Sequence, residues 1–252
     1  MIDHVTEEQE LRSRRARSFG ARAAAYAQHR PDYPVEGLRW GLPEGARHVV
    51  DLGAGTGKLT EGLLTLGLRV TAVEPDPGMR AEFARRLPEV PVLEGTAEHI
   101  PLADGSVDAV LAGQALHWFD LDPALAEIGR VTRPGGTVAA LWNHEDAAVP
   151  WVAELGELTR TGVSRAWLSQ RELPSHRLFE PFERMRFEHA QRRTADTLVD
   201  TVSTHSHILV ASAEERESTL ARLREFLKRT PETADGEFDL PLVTTVIRAV
   251  RR

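Results

Sequence analysis

The chain contains no cysteine, and this absence limits its chemistry before any motif is considered. None of its 252 residues can form a disulfide, supply a thiolate to a metal or act as a cysteine nucleophile. Hydrophobic residues make up 41% and charged residues 27% of the chain, which is typical of a soluble globular protein. The length suits one domain with a full core, or a core domain with an added cap.

The chain also lacks an excess of basic residues and any long apolar run. Asp and Glu number 38 against 31 Lys and Arg, so the formal net charge is −7. An acidic chain has no electrostatic attraction for nucleic acid or for an anionic membrane, and we expect neither as a partner. No apolar run is long enough to span a bilayer, and residues 1–17 lack the core of a signal peptide. We therefore expect a cytoplasmic protein, either a monomer or a homodimer.

Short apolar runs alternate with helical patterns between Arg47 and Leu141. This alternation predicts an α/β fold with a doubly wound, mostly parallel sheet. The sequence Pro134-Gly135-Gly136 predicts a turn before the fifth strand. The predicted strands cover 48–52, 69–74, 90–94, 107–113 and 137–142, and the predicted helices cover 57–67, 77–87 and 122–131.

The pattern loosens after Trp142. A helix is predicted near 150–160, a sixth strand near 182–190 and a last strand over 240–250. Two amphipathic stretches, 194–211 and 213–229, have Thr194 and Ser212 as candidate caps. We expect three regions: an N-terminal helical lid (1–46), a cofactor-binding α/β core (47–142) and a C-terminal half (143–252) that completes the sheet and adds a helical cap.

A glycine-rich turn follows the first predicted strand. Its glycines, Gly53, Gly55 and Gly57, let backbone N–H groups approach a ligand closely. The dinucleotide fingerprint needs its third glycine where Lys58 stands, and a phosphate-binding P-loop needs Ser or Thr at position 59 and Gly at position 52. Asp51 adds a carboxylate that would repel a pyrophosphate and attract an ammonium or sulfonium. The turn therefore predicts a site for a cationic nucleoside.

A second acidic residue, Glu74, ends the next predicted strand. A carboxylate at the end of the second strand of a βαβ unit can accept hydrogen bonds from both hydroxyls of a ribose. A solvated acid at a strand end is the alternative interpretation. The combination with the glycine turn favours the ribose.

The acidic residue before the glycines, the three glycines and Glu74 together resemble the class I S-adenosylmethionine-dependent methyltransferases. Within that class the chain is similar to small-molecule members of the type-11, trans-aconitate methyltransferase-like group. The resemblance covers about residues 19–142 and includes later motifs in order, at 94–102, 103–110, 114–119 and 127–136.

The resemblance implies a Rossmann-like sheet of seven strands whose last strand is antiparallel. It also implies S-adenosyl-L-methionine as the cofactor. Because the ligands of such sheets bind at the carboxyl ends of the strands, the candidate cofactor-binding residues lie there and in the lead-in segment. They are Tyr26, Arg30, Asp51, Gly53, Gly55, Gly57, Glu74, Asp76, Thr96, Ala97, Glu98 and Gln114.

Two of these assignments have open alternatives. Family members commonly have aspartate where Thr96 stands, so the adenine contact falls to the backbone of Ala97 or to Glu98. The segment that holds Tyr26 and Arg30 is similar to a lead-in that folds over the cofactor in the family, where Arg30 could meet a carboxylate. A helix end held to the sheet by aromatic packing is the alternative.

His117 and Trp118 follow the fourth strand, where the family places residues near the transferred methyl group. His117 could act as a general base, or it could pack against Trp118 without taking a proton, which is the interpretation we favour. Trp118 is expected to shield the sulfonium from water and to present an aromatic face to it. No metal site is expected, because His205 and His207 are two residues apart and would not share a helix face.

The expected activity is methyl transfer from S-adenosylmethionine to a small-molecule acceptor. Two alternatives stay open from the sequence. One is an enzyme of the same fold that binds this cofactor for a cyclisation or decarboxylation, and the other is a non-catalytic protein that binds the cofactor.

Overall fold

The computed structural model describes residues 31–159, 173–203, 208 and 211–252. Seven strands form one sheet in the order β3-β2-β1-β4-β5-β7-β6. The strands are β1 (His48–Leu52), β2 (Arg69–Val73), β3 (Val92–Leu93), β4 (Val107–Gly113), β5 (Thr132–Glu145), β6 (Glu183–Thr194) and β7 (Glu237–Val250).

Seven helices accompany these strands in the described residues. They are α1 (Val35–Trp40), α2 (Lys58–Thr65), α3 (Pro77–Arg86), α4 (Leu121–Val131), α5 (Pro150–Thr159), α6 (Ala195–Ser203) and α7 (Ala213–Arg229). Helix α3 begins where Met79 N donates to Asp76 Oδ1 at 2.8 Å, with Pro77 in the first turn. The predicted caps Ser212 and Thr194 also accept backbone N–H groups, from Glu215 and Thr197.

The central strands are parallel and buried on both faces. β1 pairs with β2 on one side and with β4 on the other, and β4 pairs with β5. Successive residues enter different cores: Val49 packs in the cluster that contains Leu63 and Phe83, and Val50 packs in the cluster that contains Ile128. Burial on both faces explains why these strands are continuous apolar runs. The predicted mostly parallel sheet of seven strands, with its last strand antiparallel, is confirmed.

The described residues cluster into two compact units. One unit consists of Asp32–Asn143, Leu173–Phe187 and Thr244–Arg252, and it contains all of β1 to β4. The second contains Pro31 and the described residues of His144–Glu172 and Glu188–Val243. Its core is apolar and is built from α5, α6, α7 and the start of β7, with Leu155, Val199, Leu223, Phe226 and Phe238 among its buried side chains. The three-region division predicted from the sequence stays a prediction.

Several predicted boundaries need correction. The predicted turn at Pro134-Gly135-Gly136 is wrong, because these residues lie inside β5 in an irregular stretch where its register to β4 shifts. Gly135 adopts a φ of 78° there, and its N–H donates to Arg251 O. Gly135 has the positive φ that a Pro-Gly-Gly sequence favours. Backbone hydrogen bonds with Arg251 nevertheless keep this segment within the strand. β3 is also shorter than predicted, with only two residues.

Other expectations lie partly outside the described residues. The lead-in residues Tyr26 and Arg30 and the end of the predicted 194–211 helix belong to this group. Within the part of the chain that the structure describes, no helix has both the length and the apolarity needed to cross a bilayer.

Candidate functional site

The carboxyl ends of β1, β2 and β4 lie side by side. Leu52 is level with Val73, and Asp51 is level with Leu111, so the residues that follow these strands emerge at one edge of the sheet. β1 and β4 are also the strands between which the strand order reverses. Open α/β sheets bind their ligands at such a point.

The glycine turn leaves β1 along a path held by backbone hydrogen bonds. Gly53 N donates to Val73 O at 2.8 Å, and Gly57 N donates to Ala54 O at 2.9 Å. Gly55 has a φ of 56°, and a Cβ placed on it would have no described atom within 4 Å. The backbone of Gly55 therefore borders open space, as a close approach of a ligand requires.

Glu74 lies directly across from this turn and is only 6% exposed. Its Oε2 accepts from Gly55 N at 2.8 Å, and its Oε1 accepts from Asp76 N at 2.9 Å. Burial raises the pKa of Glu74, and these two backbone donors oppose the rise. Arg80 Nη1 donates to Glu74 O at 2.9 Å and fixes the residue from behind.

Asp51 lies beneath the turn and is 1% exposed. Thr60 Oγ1 donates to Asp51 Oδ2 at 2.6 Å. Asp51 Oδ1 and Thr56 Oγ1 are buried without a hydrogen-bond partner among the described residues. Burial raises the pKa of Asp51 to about 7.

The 95–99 loop approaches the same edge after β3. Thr96 and His99 exchange two backbone hydrogen bonds, of 3.1 and 3.2 Å, and Ala97 between them is buried. Glu98 is exposed, and its Oε1 accepts from Asp120 N at 2.9 Å, just before α4. Thr96 is exposed as well.

The 115–118 loop follows β4 and carries His117 and Trp118. Leu116–Trp118 forms one 3₁₀ turn, and the two aromatic rings lie 4.9 Å apart between centroids. Trp142 Nε1 donates to His117 Nδ1 over 3.4 Å, which is long for a hydrogen bond. A Cβ on Gly53 would lie 2.8 Å from Ala115 Cβ, so the loop packs directly against the glycine turn.

Sequence reasoning did not assign two interactions beside the glycine turn. Lys58 Nζ pairs with Asp32 Oδ1 at 2.5 Å. Tyr33 is buried against the end of β4, because a Cβ on Gly113 would lie 2.5 Å from its hydroxyl oxygen. The sequence shows a tyrosine between two prolines at 31–34. It does not show which residues Asp32 and Tyr33 contact, because those contacts come from distant parts of the chain.

The residues at this edge fit a nucleoside better than a phosphate. Glu74 and Asp51 bring carboxylates to the turn, and Asp51 Oδ1 is a buried acceptor with no donor among the described residues. The nearby cations are engaged with acids: Lys58 with Asp32, Arg80 with Glu94 and Arg86 with Glu61. These hydrogen-bond acceptors suit hydroxyl and cationic groups and oppose a pyrophosphate.

The raised pKa of Asp51 predicts a pH-dependent stability. Because the folded state keeps a proton that the unfolded state releases above about pH 4, this group destabilises the fold progressively from about pH 4 to about pH 7. We expect Asp51→Asn to gain stability relative to the native chain across that interval, by at most about 1.4 kcal/mol per pH unit. Urea unfolding of both proteins between about pH 5 and about pH 8 measures the difference. A difference that does not change with pH would contradict the assignment.

Comparison with known proteins agrees with this geometry. The family described as "Methyltransferase domain" matches residues 50–140. An uncharacterized methyltransferase of Mycobacterium bovis is 43% identical over 236 residues, which cover 92% of this chain and 95% of that protein. One from Schizosaccharomyces pombe is 34% identical over 223 residues, covering 85% and 89%.

A solved structure agrees as well. A protein of Anaeromyxobacter dehalogenans, provisionally described as a type II methyltransferase, superposes with a TM-score of 0.62 at 29% identity, covering 88% of this chain and 97% of that one. Together with the strand-end carboxylates and the glycine turn, these similarities show that the chain belongs to the class I S-adenosylmethionine-dependent methyltransferases, with S-adenosylmethionine as its cofactor.

Proposed function

We propose that this methyltransferase acts on a small-molecule acceptor in the cytoplasm. The observation that carries the proposal is the meeting of the glycine turn, Glu74 and the 115–118 loop at one strand edge, in a chain of net charge −7. An acidic chain lacks the attraction for phosphates that supports nucleic-acid binding. The engagement of Lys58, Arg80 and Arg86 with acids removes three cations from such a role.

The cofactor site is proposed to use the strand-end residues in distinct ways. The bound cofactor supplies an electrophilic methyl group on a sulfonium. Glu74 would accept from the ribose hydroxyls with the lone pairs that Gly55 N and Asp76 N leave unused, since each carboxylate oxygen can accept more than one hydrogen bond. Gly53, Gly55 and Gly57 would let the chain pass close to the methionine portion.

The remaining candidates divide into direct and indirect roles. Ala97 offers its backbone to the adenine, whereas the Glu98 carboxylate already accepts from Asp120 N and supports the start of α4. Asp76 likewise caps α3 through Met79 N, and it keeps a second oxygen for the nucleoside. Asp51 lies beneath the turn and would become ionised when the cationic sulfonium is bound, because a nearby cation favours the charged form of a carboxyl group.

The surroundings of His117 favour a packing role, because its ring contacts Trp118 and Trp142 Nε1 approaches its Nδ1 at 3.4 Å. Trp118 packs on the ring of His117 and would exclude water from the methyl group. The enzyme would then contribute mainly alignment of the acceptor with the methyl group, which can lower a barrier by about 7–11 kcal/mol.

Label transfer tests the acceptor class. The protein is incubated with methyl-labelled S-adenosylmethionine and a cell extract separated into metabolite, protein and nucleic-acid fractions. We expect label in the metabolite fraction and none with Gly55→Val, whose side chain would occupy the open space beside the turn. Label confined to protein or nucleic acid would overturn the proposal.

Glu74→Ala should weaken the binding of S-adenosylhomocysteine by about 1.5–3 kcal/mol, because charge-assisted hydrogen bonds to the ribose are lost. Titration calorimetry measures the change. Glu94→Ala is the matched control, since Glu94 is an exposed acid that contacts Arg80 only at the surface, and its Kd should stay near the native value. An unchanged Kd in Glu74→Ala would show that the ribose is held elsewhere.

His117 and Trp118 should respond differently to truncation. We expect His117→Ala to reduce kcat only slightly and equally at all pH values, whereas loss of a general base would reduce it by about 10²–10⁴-fold. Trp118→Ala should reduce kcat strongly, through a wetter and looser site. Rates on the labelled acceptor across the histidine pH range separate these outcomes. A pH limb that disappears in His117→Ala would assign the base role to His117.

A further inference from the structure

The residue directly after β4 has a backbone conformation that few side chains adopt. Gln114 has a φ of 56°, and within the described ranges it is the one non-glycine residue with a positive φ. Its side chain is half-buried. Such a conformation is unfavourable and persists only where the surrounding structure holds it, and it is concentrated at functional sites.

Two hydrogen bonds hold Gln114 to the end of β5. Its backbone N donates to Leu141 O at 2.8 Å, and its side-chain Nε2 donates to Asn143 O at 2.9 Å. We call these two bonds the Gln114 clamp. Because they engage both the backbone and the side chain, the clamp determines the direction in which the chain leaves β4.

The residue that receives the clamp is itself fixed from two further segments. Asn143 Nδ2 donates to Asp32 O at 3.0 Å, and Thr244 Oγ1 donates to Asn143 Oδ1 at 2.5 Å. Asp32 is in turn paired with Lys58 at the start of α2. Asn143 therefore connects the ends of β4 and β5 with β7 and with the segment beside the glycine turn.

The clamp acts on the loop that follows it. Residues 115–118 follow Gln114 in a tight turn, where Trp118 N donates to Ala115 O at 2.8 Å. In so short a loop, the backbone angles of Gln114 decide where the rings of His117 and Trp118 lie. The same turn brings Ala115 against Gly53.

We propose that Gln114 is a positioning residue, whose clamp to Leu141 and Asn143 sets the 115–118 loop against the cofactor. The amide of Gln114 is engaged by Asn143 O, and the residue acts through the loop rather than through its own side chain on the ligand. The proposal rests on the acceptor-side role of this loop under the proposed function, but the clamp can be tested without an acceptor.

The experiment compares the native chain with Gln114→Met, which retains the length of the side chain and removes its donor. Hydrogen exchange followed by mass spectrometry is recorded on the complex with S-adenosylhomocysteine. We expect the amides of 115–119 to exchange at least about 10-fold faster in the variant, while exchange in β1 and α2 stays within about 2-fold. The calorimetric Kd for S-adenosylhomocysteine should change by less than about 3-fold.

Two further variants control the comparison. Gln114→Gly removes the amide and lets the backbone adopt a positive φ without steric cost, and it should show the same faster loop exchange if Gln114→Met does not fold. Thr244→Val removes the Thr244 hydroxyl but leaves the clamp, and its loop exchange should remain close to native.

The outcomes that overturn the proposal are distinct from a failure to find an acceptor. Unchanged exchange over 115–119 would show that the clamp does not position the loop. A Kd weakened by more than about 3-fold would make Gln114 a cofactor ligand. Hydrogen exchange that rises equally throughout the first unit would show that the clamp only stabilises the fold and does not position the loop.

Discussion

The carboxylate of Glu74 holds together the three segments on which the proposed cofactor site depends. It accepts N–H groups from Gly55 in the turn after β1 and from Asp76 before α3, while its own residue ends β2. Burial of a carboxylate is unfavourable unless such donors compensate for lost hydration. This carboxylate holds the glycine turn in place, and it is also the group proposed to bind the ribose. The shape of the turn and the ligand contact therefore depend on one side chain.

The two carboxylates at this edge of the sheet differ in how many of their oxygens have a hydrogen-bond donor. Glu74 has a backbone donor on each oxygen, whereas Asp51 has one oxygen bonded to Thr60 and the other without a partner in the described residues. Burial raises the pKa of Asp51 to about 7, and the hydrogen bond from Thr60 only partly opposes this rise. A partly hydrogen-bonded buried acid contributes less to stability than a fully bonded acid would, and its contribution changes with pH.

Some parts of the candidate site could be predicted from the sequence, and others could not. The placement of the glycine turn and of Glu74 followed from local signals, because an apolar strand that ends in glycines or in an acid is visible in a few residues. The Thr96 side chain is exposed, and Glu98 and Asp76 both proved to be engaged in capping or supporting helices. The Pro134-Gly135-Gly136 segment showed the opposite error, since its turn-like composition was overruled by pairing with Arg251.

The amino-acid sequence by itself determined the order of strands and helices, the glycine turn and the two strand-end carboxylates, because periodicity and backbone freedom are local properties of the chain. Only the tertiary structure decided that Asp51 is buried beneath the turn, that Trp142 donates to His117, and that Gln114 is held by Asn143. These contacts join residues from separate strands. Strand order and register bring such residues together, and neither is encoded in any short stretch of sequence.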